Sequence, residues 1–196
     1  MEHSLPERHQ RLPCIADKAS DSLSIAVVLA GSPEPHAPDH WEIAVVTDES
    51  SRQCRVFRAS DAATNWPTNG VPVPKWTSFA EDKMLDRSSY YQGGVRIGQI
   101  QRDDLKRLEE AICSDKLPPP KSITWVSEDW IMTVIRHLEA QGFPLVTAGL
   151  DDNHLHLRLT TDGWRARRRT AESHNRPPVF MPLSVDAIHS FFSDWF

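Results

Sequence analysis

Two apolar runs near the start of the chain constrain its fold most strongly. Residues 21–30 (DSLSIAVVLA) and 41–48 (WEIAVVTD) are rich in β-branched residues, and a segment with three prolines, 32–39, separates them. Such runs predict strands, and both alternating faces of the second run are largely apolar, which indicates burial on both sides. A turn at 48–51 and a third apolar run at 53–58 predict an antiparallel hairpin.

The remaining periodic segments predict a mixed architecture. Residues 95–100 read as another strand, and apolar residues at helical spacing predict helices at 103–114 and 127–141. Leucines alternate with polar residues in 154–160, which predicts a half-buried strand, and 184–196 has the pattern of a closing amphipathic helix. We therefore predict an α+β fold in which an antiparallel sheet packs against two main helices.

Length and charge define the broad class. The chain has 196 residues and a formal net charge of −5, which fits one domain and disfavours nucleic acid or an anionic membrane as partner. We predict a mobile leader at 1–20 and a single domain at 21–196, whose C-terminal part, 151–196, adds a strand and the closing helix. The three cysteines are scattered and no apolar run approaches the ~20 residues of a membrane span, so the sequence predicts a cytoplasmic protein.

Two short motifs carry the functional signal. His40 opens the strand at 41–48, and Ser127 opens the helix at 127–141. A base on a strand and a nucleophile at a helix N-terminus form a known constellation for acyl chemistry, although Cys is the usual nucleophile there. Asp129 and Glu128 are the carboxylates available to orient such a pair.

Each of these residues also has a purely structural interpretation. Ser127 satisfies the preference for serine at a helix N-cap, and Glu128 and Asp129 suit the positive end of the helix dipole. His40 is equally well explained as a polar residue at the start of a strand. The sequence leaves both interpretations open.

The two motifs resemble those of small fungal domain families with a permuted papain-like layout, similar to lecithin–retinol acyltransferase and NlpC-type peptidases. In those families a His-Trp pair opens a strand, and a later helix begins with Asn/Gly-Cys-x-x-Trp. Here His40-Trp41 matches the first motif and Trp130 the second, which places Ser127 at the cysteine position and Val126 at the Asn/Gly position. The resemblance spans about residues 21–145 and implies a papain-like scaffold without its thiol.

Three functions are compatible with such a site. The first is a cofactor-independent enzyme of fungal secondary metabolism that performs acid/base chemistry on a small molecule, such as cyclisation, isomerisation or acyl transfer. His40 would move the proton, Ser127 and Asp129 would position the substrate, and five further residues would bind it: Trp41, Trp76, Tyr91, Glu128 and Trp130. The alternatives are a catalytically silent binding or regulatory module and a serine-dependent hydrolase or acyltransferase.

Three segments remain ambiguous. His154 and His156 would share one face of a strand and, with a carboxylate, form a metal site, but a polar outer face explains them as well. The basic run 165–169 is either a phosphate-binding patch or a solvated surface. The aromatic-rich segment 59–92 either lines a pocket or covers the sheet, and no metal or cofactor is predicted.

Overall fold

The protein has an α+β fold built on one six-stranded sheet. A computed structural model describes residues 21–31, 40–65, 73–86, 90–118, 126–173 and 178–184, without the side chains of 61–65 and 73–76. The strands are β1 (Ser22–Ala30), β2 (His40–Asp48), β3 (Gln53–Asn65), β4 (Val73–Met84), β5 (Tyr91–Gln101) and β6 (Phe180–Pro182). The predicted α+β class is confirmed.

The sheet is antiparallel except at one edge. Its strand order is β4-β3-β2-β1-β5-β6, and only β6 runs parallel to its neighbour, β5. The register places Ala30 opposite both His40 of β2 and Tyr91 of β5. The predicted hairpin between β2 and β3 is present, and its ladder begins at the pair Ile43–Phe57.

Three helices cover one face of the sheet. They are α1 (Leu105–Ile112), α2 (Ser127–Ala140) and α3 (Asp152–Glu172), and a short 3-10 turn precedes α1. Their inward residues pack with the strand residues of the main core. We call this side of the sheet the helix face; its strand residues are Leu23, Ile25, Val27, Trp41, Ile43, Val45, Phe57, Val95, Ile97 and Ile100.

The alternate strand residues form a second, smaller core. We call this side the far face; its apolar residues are Ala26, Val28, Ala44, Val46, Cys54, Val56, Leu85 and Tyr91. Leu85 immediately follows β4 and is completely buried in this cluster. Both faces of β2 are therefore covered, as its sequence predicts.

The predicted strand at 154–160 is wrong, because these residues belong to the 21-residue helix α3. Leu155 and Leu159 are buried and Leu157 is exposed. Leucines four residues apart fit the helical period as well as the strand period, so the alternation did not discriminate. The side chain of Asp151 caps the helix by accepting a hydrogen bond from the amide of His154 at 2.9 Å.

The segment 59–92 contains regular structure that the sequence did not predict. β3 extends to Asn65, and β4 pairs with it from Val73 to Met84. The predicted helix 103–114 is divided into the 3-10 turn Arg102–Asp104 and α1. The predicted leader 1–20 and most of the predicted closing helix 184–196 lie outside the described residues.

Among the described residues, no helix is both long enough and apolar enough to cross a bilayer.

Candidate functional site

The N-terminus of α2 contacts the first residues of β2 directly. The Oγ of Ser127 accepts a hydrogen bond from the backbone amide of Trp41 at 3.1 Å. This contact lies two residues before the first ladder pair of β2 and β3, Ile43–Phe57. The structure therefore brings the two sequence motifs together.

Ser127 is not the N-cap of its helix, in contrast to the prediction. Val126 occupies the N-cap position, and Ser127 is the first helical residue. The carboxylate of Asp129 accepts a hydrogen bond from the amide of Val126 at 3.0 Å and so satisfies one of the orphan donors of the helix start. The hydroxyl of Ser127 is left to join the helix to the strand.

His40 lies at the exposed start of β2. Strand alternation places its imidazole on the far face, because Trp41 points into the helix-face core. Among the described residues the imidazole makes no hydrogen bond to Ser127. The two motifs meet through backbone, and the expected imidazole–hydroxyl pair is absent from this contact.

The predicted binding residues divide into separate environments. Trp41 and Trp130 are buried in the helix-face core; Trp41 stacks on His156, with 6.0 Å between ring centroids, and the Nε1 of Trp130 donates to the Oγ of Ser78 at 3.1 Å. Glu128 is half-buried in the first turn of α2. The side chain of Trp76 lies outside the described residues.

Tyr91, the remaining predicted binding residue, lies on the far face. Its phenol donates a 2.7 Å hydrogen bond to the carboxylate of Glu42, which is 5% exposed. Among the described residues no Lys or Arg forms an ion pair with Glu42. A buried carboxylate bonded to a neutral phenol is unusual, because burial strongly disfavours an ionised group without a cation.

Glu42 is a functional candidate that was not predicted from the sequence. The signal was present, since Glu42 is a carboxylate inside an otherwise apolar strand run, 41–46. His40 lies two residues earlier on the same face, at about 7 Å along the strand. Tyr91 is two strands away across Ala30, so the imidazole, carboxylate and phenol share one end of the far face.

Charged side chains from the opposite edge of the sheet converge on this pair. The Nζ of Lys83 in β4 lies 5.9 Å from the ring centroid of Tyr91, although three strands separate β4 from β5 in the sheet. Glu81 accepts contacts from Lys83 at 2.8 Å and from Arg58 at 2.9 Å. We call the group Glu42, Tyr91, Glu81, Lys83 and Arg58 the far-face cluster.

The environment of the cluster keeps the Tyr91 phenol protonated. Burial raises the pKa of Tyr91 well above its usual value, and the negative charge of Glu42 raises it further. Tyr91 is consequently a hydrogen-bond donor at every physiological pH. Such perturbed titratable groups concentrate at functional sites, although structural networks produce them too.

The metal-site hypothesis for His154 and His156 loses its geometric basis. The two residues lie on a helix, where a spacing of two directs side chains to different sides. Within the described ranges, no group of three or more His, Cys, Asp or Glu side chains is arranged to hold a metal ion.

The two cysteine thiols within the described residues are apolar packing groups. Cys54 is buried in the far-face core, and burial raises its pKa to about 12. Burial also raises the pKa of the half-buried Cys113. Neither thiol has the low pKa of a nucleophile.

A groove with a volume of about 670 Å³ lies at the β5–β6 edge of the sheet. It contains none of the predicted site residues. Its lining is Ser22, Arg96, Gly98, Gln99, Ile100, Gln101, Asp104, Pro144, Val146, Pro182 and Leu183.

Fold and site together define an α+β protein with a helix N-terminus fastened to a His-Trp strand and an acid–base cluster behind that strand. No protein-family model matches this chain, and comparisons with curated proteins and with solved structures give no significant match.

Proposed function

We propose that this protein is a cofactor-independent enzyme that transfers protons on a small organic substrate. The observation that carries the proposal is the buried Glu42–Tyr91 hydrogen bond, which lies on the same face as the exposed imidazole of His40. These three residues supply a carboxylate base, a phenol donor and an imidazole at the protein surface. The proposed proton-transfer site therefore differs from the one predicted around Ser127.

The chemistry is an isomerisation or cyclisation without change in oxidation state. Glu42 accepts a proton from a carbon next to a carbonyl, and the single O–H of Tyr91 turns from the newly protonated carboxyl group to donate a hydrogen bond to the developing enolate oxygen. Glu42 then returns the proton to a different atom of the substrate, directly or through the imidazole of His40. Proton removal and return balance, so the reaction requires no oxidant, reductant or metal.

The scaffold is part of the same proposal. The contact between Ser127 and Trp41 supports the permuted papain-like layout, because it joins the two motifs on which the resemblance is based. In this interpretation the start of α2 occupies the same place against β2 as the cysteine helix does in the papain-like layout, and the hydroxyl of Ser127 joins the two elements. A place in fungal secondary metabolism and in the cytoplasm belongs to this proposal and rests on the resemblance alone.

A test is possible without knowledge of the natural substrate. 5-Nitrobenzisoxazole opens when a carboxylate base removes one ring proton, and its phenolate product absorbs visible light. We expect saturable turnover that falls at least about 100-fold in Glu42→Gln, within the range typical of a lost general base. Ser127→Ala should retain most of this activity, and Tyr91→Phe should show an intermediate loss.

A catalytically silent binding module is the second candidate. The observation in its favour is that Ser127, Asp129 and Trp130 each use a side-chain polar atom in a hydrogen bond within the fold. If the wild type and Glu42→Gln turned over the probe equally, the proposed enzymatic function would be rejected and the binding module would remain. Labelling of Ser127 by a fluorophosphonate would instead favour a serine hydrolase, which has little support because no described base contacts the Ser127 hydroxyl.

A further inference from the structure

The outward side of α3 carries a stripe of side chains that its packing does not use. The inward side of this helix is buried through residues at helical spacing: Leu155, Leu159, Asp162, Gly163, Ala166 and Thr170. On the opposite side, Leu157 is 47% exposed and Trp164 is 61% exposed. These two are seven residues apart and therefore lie on one face, two turns from each other.

The same face continues in both directions along the helix. Asn153 precedes Leu157 by four residues, and Arg168 follows Trp164 by four. Thr161 lies between the two apolar residues. We call Asn153, Leu157, Thr161, Trp164 and Arg168 the α3 stripe, and its spacing is that of a helix that packs against another helix.

Charge is distributed unevenly along this helix. Asp151 and Asp152 lie at its N-terminal end, where they contact His154 and Arg136 of the same subunit but keep most of their side-chain surface exposed. Arg167, Arg168 and Arg169 lie near its C-terminal end. The guanidinium of Arg167 lies 5.1 Å from the ring centroid of Trp164. Arg168 has an exposed ion pair with Glu172 at 3.9 Å, which contributes little in water.

We infer that the α3 stripe is a homodimer contact in which two copies of α3 pack antiparallel across a two-fold axis. The axis passes between Thr160 and Thr161. Leu157 then packs against Trp164 of the partner subunit, and Asn153 lies opposite Arg168 of the partner subunit. An antiparallel pair is favoured because it brings the acidic end of each helix beside the basic end of the other.

The contact is small, so we expect a weak dimer. One helix face per subunit buries less than the roughly 1,200–2,000 Å² typical of stable complexes. The dissociation constant should therefore be on the order of 100 µM, with dissociation favoured by salt. The inference does not depend on the proposed enzymatic function.

The first test is sedimentation velocity on the full chain from about 5 to 400 µM, a range chosen to span the expected dissociation constant. We expect concentration-dependent dimers, and Trp164→Glu should raise the dissociation constant at least about tenfold because it places a charge in the apolar centre of the contact. The matched control is Met84→Glu, since Met84 is 57% exposed on β4, away from α3. A monomer at every concentration, or equal loss in both variants, would overturn the inference.

The second test examines the register. Asn153→Glu should tighten the dimer about two- to tenfold, because two new Glu–Arg pairs form across the axis, and Asn153→Lys should weaken it. Thr161→Cys should form an intermolecular disulfide under mild oxidation, whereas the same substitution at Glu172, far from the axis, should not. Tightening by Asn153→Lys or crosslinking only through residue 172 would reject the antiparallel arrangement.

Discussion

Replacement of Ser127 by alanine should destabilise the protein without removing its proposed proton-transfer activity. The substitution deletes the acceptor of a 3.1 Å hydrogen bond from the Trp41 amide. Trp41 is only 5% exposed, so its amide would lose its hydrogen-bond partner at a site that is largely shielded from water. A lost hydrogen bond that leaves a buried donor unsatisfied costs about 1–3 kcal/mol. Because Ser127 itself is half-buried and water reaches the site in part, we expect about 1–2 kcal/mol.

This free-energy change is measurable by urea unfolding followed by tryptophan fluorescence. For a domain of this size, each kcal/mol lowers Tm by roughly 2–4 °C, so Ser127→Ala should melt about 2–8 °C below the wild type. The Tm of Ser127→Cys should lie between those of the wild type and Ser127→Ala, since sulfur is a weaker hydrogen-bond acceptor in the same position. The matched control is Ser22→Ala, which removes an exposed 3.2 Å bond to Gln99 and should change stability by less than about 0.5 kcal/mol.

The refuting result is specific. If Ser127→Ala and Ser22→Ala change the free energy of unfolding equally, the hydroxyl does not fasten α2 to β2. If Ser127→Ala keeps full stability but loses turnover of the benzisoxazole probe, Ser127 belongs to the catalytic machinery and the proposed site is wrong.

Three further perturbations follow from the packing and charges. Gly93→Ala should cost about 2 kcal/mol or more in urea unfolding, because Gly93 has a φ of +129° and a Cβ there would lie 3.0 Å from the backbone of Ala166; a neutral effect would contradict the close contact. Asp162→Ala should cost about 3 kcal/mol by the same assay, since this buried carboxylate accepts hydrogen bonds from both the amide (2.9 Å) and the hydroxyl (2.7 Å) of Ser184. A loss of stability below about 0.5 kcal/mol, as for a surface substitution, would contradict a stabilising role for these two bonds. Hydrogen bonds from the serine hydroxyls and amides of the following turn lower the pKa of the exposed Asp48 to about 2. The stabilising effect of its charge is therefore complete above the ordinary carboxyl pKa of 3.8 and lost as the pH falls towards 2, and an NMR titration midpoint near 3.8 would disprove it.

Sequence alone predicted the parts of the fold whose periodicity has one interpretation. The buried runs of β1 and β2 contain consecutive β-branched residues, and α2 carries an apolar stripe with a glycine, Gly142, just beyond its end. Those features specify strand and helix without tertiary information. The encounter of the His40-Trp41 motif with Ser127 also followed from the sequence, although the atoms that meet did not.

The remaining errors have physical causes. Leu155 and Leu159 fit two periods, and the decisive evidence, the capping bond of Asp151, depends on backbone geometry that only the structure supplies. β4 has weak alternation and begins beside Pro74, so its pairing with β3 decides its conformation. The far-face cluster joins residues from four strands, and no local pattern connects Glu42 with Tyr91.

The order of elements along the chain has a consequence for synthesis. Strands β1 to β5 all precede α2, so the apolar helix face of the sheet leaves the ribosome before its cover exists. All three covering helices are complete only after a further 71 residues, 102–172, have been added, which takes about 4–14 s at 5–20 residues per second. During that interval a nascent sheet with a bare apolar side is a natural client for chaperones and a point at which rapid overexpression would produce inclusion bodies.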